Sequence, residues 1–341
     1  MKRNVLVTGA AGFIGAATVK KLLSNGDNVI GIDNINDYYD ISLKKYRLKK
    51  IEEFSTNGGS WNFHKISLED RQSLLEVFKK YKPKIVINLA AQAGVRYSLI
   101  DPMSYIKSNL VGFANIMDLV KLFAIENFIY ASSSSVYGGN TKLPFDEKDP
   151  VNHPISLYAA TKKSNELIAH SYSHIYNIPS TCLRFFTVYG PLGRPDMAPM
   201  IFAKSILNSE PIKIFNFGKM TRDFTYIDDV SESIFRCSLK KAKSNKNFNT
   251  KSPDPSSSSA PHIILNIGSN KPIELLDFIT ILENNLGKKA IKDFQPIQPG
   301  DVENTFAEIS KLEEWINFLP NTSFEVGISN FAKWYKNYYG Y

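Results

Sequence analysis

The sequence predicts an α/β protein with a doubly wound parallel sheet and a smaller, mixed α/β lobe toward the C-terminus. Three observations support this fold class. Short apolar runs alternate with helical patterns up to residue 186, a glycine-rich turn follows the first run, and the alternation weakens after residue 187, where prolines become frequent. Strands that alternate with helices form parallel sheets, which bind ligands at the carboxyl ends of their strands.

Each predicted element has its own sequence signal. Strands are expected where short apolar runs stop at a turn or a polar residue, at 5–7, 29–32, 85–89, 128–130 and 180–186. Helices are expected where apolar residues recur with helical spacing, at 16–23, 71–80, 108–123 and 156–174. Further along, ordered structure is expected to resume at 262–268, and short helices are expected at 273–286, 309–316 and 327–338.

Composition and charge indicate an ordinary globular protein. Of 341 residues, 43% are hydrophobic and 22% are charged. The net charge of +8 comes partly from short basic runs at 44–50 and 240–243, interpreted as solvated surfaces, with attraction of an anionic substrate as the alternative. No nucleic-acid module, membrane-length apolar run or cleavable leader is visible. Cys182 and Cys237 lack neighbours at metal-ligand spacing, so we expect no metal and a reducing, cytoplasmic location.

A glycine-rich turn predicts a dinucleotide site. The segment TGAAGFIG places Gly9, Gly12 and Gly15 at G-x-x-G-x-x-G spacing, and Asp33 ends the second strand. Glycine lets the backbone approach a pyrophosphate, and the helix N-terminus that follows offers unpaired N–H groups. Asp33 would accept hydrogen bonds from the adenosine ribose and repel a 2′-phosphate, which favours NAD over NADP. A plain turn role is the alternative for Asp33.

The dinucleotide site leads to an expected domain organisation. Residues 1–186 are predicted to form an NAD-binding Rossmann domain, completed by segments near 222–240 and 262–268. Residues 187–341 are predicted to form most of a substrate-binding lobe. The polar, proline-rich stretch 240–261 is expected to be a flexible surface loop.

A tyrosine and a lysine four residues apart suggest acid–base chemistry. Tyr158 and Lys162 lie on one face of the predicted helix, a turn apart. A nearby ammonium and a cationic nicotinamide would favour the phenolate form of the tyrosine. The phenolate could then take a proton from a substrate hydroxyl while hydride leaves the same carbon. Chance occurrence of Y-x-x-x-K on a helix is the alternative.

Four consecutive serines, 132 to 135, follow the predicted strand at 128–130 and precede Val136-Tyr137-Gly138. Together, G-x-x-G-x-x-G, S-S-S-x-V-Y-G and Y-x-x-x-K resemble the extended short-chain dehydrogenase/reductases that act on nucleotide sugars. Five longer segments resemble UDP-glucuronate 4-epimerases in particular: AAQAGVRYS (90–98), FFTVYGPLGRPDMAPMIFAKSIL (185–207), TRDFTYIDDV (221–230), SSAPHIILNIG (258–268) and QPGDVENTFAEISKL (298–312). The resemblance covers nearly the whole chain.

The resemblance implies a mechanism and its residues. Ser133 would hydrogen-bond the sugar 4-hydroxyl, Tyr158 would be the general base, and Lys162 would hold the cofactor ribose and tune the tyrosine. The 4-keto sugar would turn over and be reduced on its other face, converting UDP-glucuronate to UDP-galacturonate. Besides Tyr158 and Lys162, the expected NAD contacts are Gly9, Gly12, Phe13, Ile14, Gly15, Asp33, Asn34, Asn36, Leu89, Ala90, Ala91 and Asn109.

The resemblance also implies how a uronate is recognised. Ser134 and Ser135 stand where nucleotide-sugar 4,6-dehydratases carry an Asp-Glu pair and decarboxylases usually a Glu at the second position. Hydroxyls there could hold the C6 carboxylate, which a Glu would repel. Thr187 stands where neutral-sugar 4-epimerases typically have Asn. A loop chosen for small size is the alternative for these serines.

Other implied contacts concern the nucleotide. Arg194 and Arg222 would clamp the UDP pyrophosphate, and Asp301 would bind the uridine ribose. Arg96 is either a substrate contact or a surface charge. Ser67 departs from the family, which usually has an adenine-contacting Asp at this position, and this weakens the expected affinity for free NAD.

Several alternatives stay open at this point. They are a UDP-glucose or UDP-N-acetylhexosamine 4-epimerase, a UDP-glucuronate decarboxylase, and a non-catalytic NAD-binding scaffold. In the similar enzymes two such helices from each subunit form a four-helix interface, so the resemblance implies a homodimer through the helices predicted at 108–123 and 156–174. The resemblance further implies a role in supplying polysaccharide precursors.

Overall fold

The computed structural model describes residues 2–55, 59–298 and 302–341. Its strands are β1 (Asn4–Thr8), β2 (Asn28–Asp33), β3 (Trp61–Lys65), β4 (Ile85–Asn88), β5 (Asn127–Ser133), β6 (Ser180–Phe185), β7 (Thr187–Tyr189), β8 (Pro211–Ile214), β9 (Thr221–Tyr226), β10 (His262–Ile267), β11 (Pro272–Glu274) and β12 (Ile291–Phe294). Its helices are α1 (Phe13–Ser24), α2 (Ile41–Ser55), α3 (Arg71–Tyr81), α4 (Pro102–Tyr105), α5 (Gly112–Leu122), α6 (Leu157–Tyr176), α7 (Ala198–Leu207), α8 (Ile227–Leu239), α9 (Leu275–Leu286), α10 (Ser310–Ile316) and α11 (Phe324–Tyr339).

The central sheet has seven parallel strands in the order β10-β6-β5-β4-β1-β2-β3. Its chain order reverses between β1 and β4, so a crevice opens at the carboxyl ends of these strands. Two small sheets lie outside it, one of β11, β9 and β7 and one of β12 and β8. The predicted doubly wound sheet with a smaller mixed lobe is therefore confirmed.

Strand β1 shows why this sheet is covered on both faces. Val5 and Val7 belong to one hydrophobic core, and Leu6 between them belongs to the other, although none of the three is exposed. Successive strand residues point to opposite faces, so a continuous apolar run is the pattern of a strand buried on both sides. Helix α1 packs on one face, with Val19, and α5 on the other, with Ile116.

Several elements were not predicted. They are α2, α4, α7, α8 and the strands β3, β7, β8, β9, β10, β11 and β12. The basic run at 44–50 was expected to be a solvated surface. This prediction is wrong for two residues of α2, since Lys44 and Arg47 are only 5% and 1% exposed. Their polar ends have hydrogen-bond partners inside the fold, which makes the burial of these cations possible.

The segment at 240–261 is held more firmly than its composition predicts. Ser256 is fully buried, and its carbonyl accepts hydrogen bonds from the Ile264 backbone N–H at 2.9 Å and from Lys311 at 3.2 Å. Ala242 and Ala260 are also buried. These contacts tie the segment to β10 and α10, in place of the flexible loop that the sequence led us to expect. The division into two domains at residue 187 stays a prediction.

Two further features bear on the sequence predictions. Cys182 and Cys237 are free, buried thiols. None of the helices within the described ranges is long and apolar enough to cross a membrane.

Candidate active site

One large cavity, of about 1090 Å³, opens at the carboxyl ends of the central strands and faces the small lobe. It is lined by nearly all the residues that the sequence assigned to a site: Gly9, Gly12, Phe13, Ile14, Gly15, Asp33, Asn34, Asn36, Leu89, Ala90, Ala91, Arg96, Ser133, Ser134, Ser135, Tyr158, Lys162, Thr187, Arg194 and Arg222. Residues separated by up to about two hundred positions in the chain therefore meet in a single space. Their individual roles stay predictions.

The glycine turn between β1 and α1 is too tight for side chains. A Cβ atom on Gly9, whose φ is +72°, would lie 2.8 Å from the Ala90 backbone nitrogen. A Cβ on Gly15 would lie 1.9 Å from the Gly9 carbonyl oxygen. Helix α1 begins at Phe13, directly after this turn, so its N-terminal N–H groups lie at the cavity. Such an arrangement fits an anionic pyrophosphate.

Asp33 is held at the end of β2 with both oxygens in place. Its Oδ2 accepts the Ala11 N–H at 3.1 Å and its Oδ1 accepts the Ile35 N–H at 2.8 Å. Each carboxylate oxygen can accept further hydrogen bonds, so the side chain can also receive ribose hydroxyls. The carboxylate and the glycine turn together fit the adenosine half of a dinucleotide.

Two residues of this corner were missed by sequence reasoning. The Lys44 ammonium donates to the Asn36 carbonyl at 2.6 Å and lines the cavity. Glu69 also lines the cavity, accepts from the Ser67 hydroxyl, and accepts from Ser108 at 3.1 Å. A carboxylate thus lies two residues beyond the position where the family usually has its Asp. Neither Lys44 nor Glu69 belongs to a recognisable motif, so nothing in the sequence signalled that they would line the cavity.

Tyr158 stands at the first turn of α6, where Ser156 caps the helix by accepting the Ala159 N–H at 3.1 Å. Burial raises the pKa of Tyr158, whereas a hydrogen bond with Ser133 and the charge of Arg194 lower it. Sequence reasoning named Lys162 as the tuning charge and did not foresee Arg194. The ring of Tyr105 packs edge-on against Tyr158, with centroids 6.1 Å apart. The phenol therefore lies beside the predicted assisting serine, with its ring packed against that of Tyr105.

Lys162 lies one turn further along α6 and is only 2% exposed. Burial lowers the pKa of Lys162 to about 8, although Cys182 and Glu166 raise it. Within the described ranges its ammonium has no hydrogen bond or ion pair. A buried donor that lines a cavity and lacks a protein acceptor fits a ligand that brings its own acceptors, such as ribose hydroxyls.

The four serines divide between two environments. Ser132 also lines the cavity, but its hydroxyl donates to Glu166 at 2.7 Å, and Glu166 forms a buried ion pair with Arg184 at 2.9 Å. Ser133 ends β5, and its hydroxyl accepts the Ser135 N–H at 3.2 Å. The chain then turns, so that the remaining two serines line the cavity beside it.

The small lobe contributes arginines to the cavity. Arg194 forms a two-point ion pair with Asp196, at 2.6 and 3.1 Å, and Tyr38 donates to the same carboxylate at 3.0 Å. Arg222 donates to backbone carbonyls, including that of Val302 at 2.6 Å. Arg96 lies 5.0 Å above the ring of Phe215, which belongs to the small lobe. Tyr38 and Asp196 are further residues that the sequence did not single out.

Two of the predicted site residues are not found among the cavity lining. Asn109 does not line the cavity; it bonds the Gln92 backbone at 2.8 and 3.0 Å and Thr161 at 3.0 Å, and so braces the loop after β4 against α6. Asp301 lies outside the described residues. In the part of the chain that the structure describes, no three His, Cys, Asp or Glu side chains are grouped to hold a metal ion.

The sequence is similar to those of known proteins over nearly its whole length. The family model described as GDP-mannose 4,6 dehydratase matches residues 6–331. Protein CapI of Staphylococcus aureus is 52% identical over 336 residues, which cover 98% of this chain and 99% of that protein. A probable UDP-glucuronate 4-epimerase of Rhizobium meliloti is 45% identical over 337 residues, covering 98% and 97% of the two chains.

The fold is also similar to that of a solved structure. UDP-glucuronic acid 4-epimerase from Bacillus cereus, in complex with UDP-glucuronic acid and NAD, matches with a TM-score of 0.84 and 32% identity, covering 98% of this chain and 100% of that one. The chain therefore belongs to the GDP-mannose 4,6 dehydratase family of nucleotide-sugar epimerases and dehydratases.

Proposed function

We propose that this protein is an NAD-dependent isomerase that inverts C4 of UDP-glucuronate to give UDP-galacturonate. One observation carries the proposal: a single cavity holds the dinucleotide turn, the Ser133–Tyr158 pair and the arginines of the small lobe, with hydroxyls instead of carboxylic acids after Ser133. Relatives in Rhizobium meliloti and Bacillus cereus carry the name of this activity, and the latter was crystallised with UDP-glucuronic acid and NAD.

Proton transfer at O4 is the role proposed for Tyr158. Its phenolate accepts the proton of the sugar 4-hydroxyl. The Ser133 hydroxyl donates a hydrogen bond to the sugar O4 and orients it toward the phenolate. NAD held by the glycine turn and Asp33 would supply reversible hydride transfer at C4, with the keto sugar presenting its opposite face for the return. Tyr158 then gives the proton back to O4, so the enzyme ends in its starting state and needs no external acid or base.

Charge around the phenol supports this role. Arg194 lowers the pKa of Tyr158 from one side. The ammonium of Lys162, one helical turn away, is available to the cofactor ribose and adds positive charge to the same region. Gly9, Gly12 and Asp33 hold the other half of the cofactor in this proposal.

Recognition of the uronate is assigned to hydroxyls. Ser134, Ser135 and Thr187 line the cavity near Ser133, and donors of this kind can bind a C6 carboxylate. A carboxylate at either serine position would repel that group, and it would also supply the acid that elimination of water requires. We propose further that Arg194 and Arg222 bind the UDP pyrophosphate, with Arg96 and Asp301 near the nucleoside.

A proton NMR assay tests the function. Purified protein incubated with UDP-glucuronate should produce a second anomeric signal, that of UDP-galacturonate. An unchanged spectrum, faster turnover of UDP-glucose, or a pentose product with release of CO₂ would each contradict the proposal. Ser135→Glu should abolish uronate turnover by repulsion, whereas Ser135→Thr, which keeps the hydroxyl, should retain it.

We also propose a homodimer. Leu122 on α5 is 58% exposed, and Leu167 and Ile175 on the neighbouring α6 are 62% and 66% exposed. Large apolar side chains exposed on two neighbouring helices are typical of a subunit interface. Light scattering should give twice the chain mass, and a monomer at micromolar concentration would refute the dimer. A cytoplasmic location is proposed from the two free, buried thiols. A role in polysaccharide precursor supply is a proposal that depends on the resemblance alone.

A further inference from the structure

Arg47 lies outside every motif discussed so far, yet it is among the largest fully buried side chains of the described structure. Its guanidinium reaches three separate parts of the chain. Nε and Nη2 donate to the Leu192 carbonyl at 3.0 and 2.7 Å, Nη2 also donates to the Gly193 carbonyl at 3.1 Å, and Nη1 donates to the Ala11 carbonyl at 3.1 Å and the Tyr39 hydroxyl at 2.7 Å.

Three of these acceptors belong to two turns that carry binding groups. Ala11 stands between Gly9 and Gly12 in the dinucleotide turn. Leu192 and Gly193 directly precede Arg194. Leu192 has a φ of +63°, a left-handed conformation that is unfavourable for a branched side chain. Two N–H groups of the Arg47 guanidinium donate to the Leu192 carbonyl, so a residue of α2 stabilises this backbone conformation.

The chemistry of the contact is unusual for a structural link. The acceptors are carbonyl oxygens and a phenol, and within the described ranges no carboxylate forms an ion pair with Arg47. A buried cation without a counter-ion is costly, and apolar packing would join the same elements at less cost. The planar fork of arginine, in contrast, fixes two turns relative to each other in direction as well as distance.

We propose that Arg47 is a positioning residue that aims Arg194 into the cavity and couples the cofactor turn to the UDP-sugar turn. The inference rests on the proposed function, because it takes Arg194 as the group that binds the UDP pyrophosphate. Arg47 itself touches neither cofactor nor substrate in this account. It acts through the backbone at 192–193.

Arg47→Lys tests the inference, because it keeps the charge and removes the fork. UDP affinity, measured by calorimetry, should fall about tenfold, and KM for UDP-glucuronate should rise about tenfold while kcat changes less than about threefold. The matched control is Arg3→Lys. Arg3 forms a similar fork with Asp27 and Ser238, away from the cavity, so its substitution should lower stability and leave UDP affinity unchanged.

A double-mutant cycle separates positioning from general loosening of the fold. If Arg47 acts through Arg194, then Arg47→Lys should weaken UDP binding by less than about twofold in an Arg194→Ala background. The inference would be overturned if Arg47→Lys weakened UDP binding as strongly in the Arg194→Ala background as in wild type. An unchanged UDP affinity in Arg47→Lys alone would also overturn it. Because UDP binding needs no turnover, wild-type protein that binds UDP but does not epimerise would contradict the proposed function and leave this test intact.

The wild-type protein provides a test if Arg47→Lys does not fold. Adding NAD alone should slow amide hydrogen exchange in residues 190–194, since the cofactor turn is joined to them through Arg47. Exchange in 190–194 that is the same with and without NAD would refute the coupling.

Discussion

Lys162 should make the folded protein less stable at neutral pH, and replacing it should reveal how much. Its side chain is 2% exposed, and burial lowers its pKa from 10.5 to about 8. Each tenfold change in proton affinity corresponds to about 1.36 kcal/mol, so the difference amounts to about 3 kcal/mol. The destabilisation is an expected property of a residue placed for a ligand and not for the fold.

The destabilisation by Lys162 depends on pH, because the pKa of its ammonium is lower in the folded protein than in the unfolded chain. The folded protein binds the Lys162 proton less tightly than the unfolded chain does, so the destabilisation is complete below about pH 8. It fades as the pH rises from about 8 to 10.5, because the folded lysine then loses its charge. Lys162→Met, which removes the charge and keeps the length, should therefore be more stable than wild type at pH 7 by up to about 3 kcal/mol.

Urea unfolding of nucleotide-free protein at pH 7 and at pH 10.5 measures this difference. The gain in Lys162→Met should shrink toward zero at the higher pH. Lys163→Met is the matched control: Lys163 pairs with Glu166 at 3.2 Å, so its loss should not stabilise the protein. NAD at about 100 times its Kd should stabilise wild type by about 2.7 kcal/mol and the variant by less. A Lys162→Met protein less stable than wild type at pH 7 would show that the buried charge does not destabilise the fold.

Three other substitutions extend the account. Tyr158→Phe should lower kcat by at least about 10²-fold and leave NAD affinity, followed by fluorescence, unchanged; a fully active variant would remove the mechanism. Ser67→Asp should fail to tighten NAD binding, because the new carboxylate would face Glu69, which now accepts from the Ser67 hydroxyl; tenfold tighter binding would contradict this. Glu166→Gln should cost about 3–5 kcal/mol in chemical unfolding, because it leaves Arg184 buried without its partner. Against the effect of burial, Arg184 lowers the pKa of Glu166 to about 2, so wild type should lose this stabilisation as pH falls from about 4.5 to about 2.

The sequence predicted the central sheet because its strands are buried on both faces. A run such as Val5 to Val7 is apolar throughout and has few alternative interpretations. Strand β3, at 61–65, lies at the sheet edge and mixes Trp61 and Phe63 with polar residues, so its pattern was too weak to read. Periodicity detects burial, and an edge strand is only half buried.

The site was predictable where the chemistry demands particular residue types at particular spacings. The glycine turn and the Tyr158–Lys162 pair are of this kind, and all of them line the cavity. Lys44 and Arg47 were interpreted as surface charges because a basic run gives no sign of which members turn inward. Lys44 is held by Asn36, eight residues before it, and Arg47 by carbonyl acceptors from distant turns, which only the folded chain brings together.

A deuterium experiment tests the central claim most directly, namely that one hydrogen leaves C4 as hydride and returns to C4 while the phenol of Tyr158 holds the O4 proton. UDP-glucuronate is incubated with the protein in D₂O, and C4 of the product is examined by NMR. The account predicts UDP-galacturonate with protium retained at C4, since hydride does not exchange with solvent. Deuterium at C4, or no UDP-galacturonate at all, would contradict it.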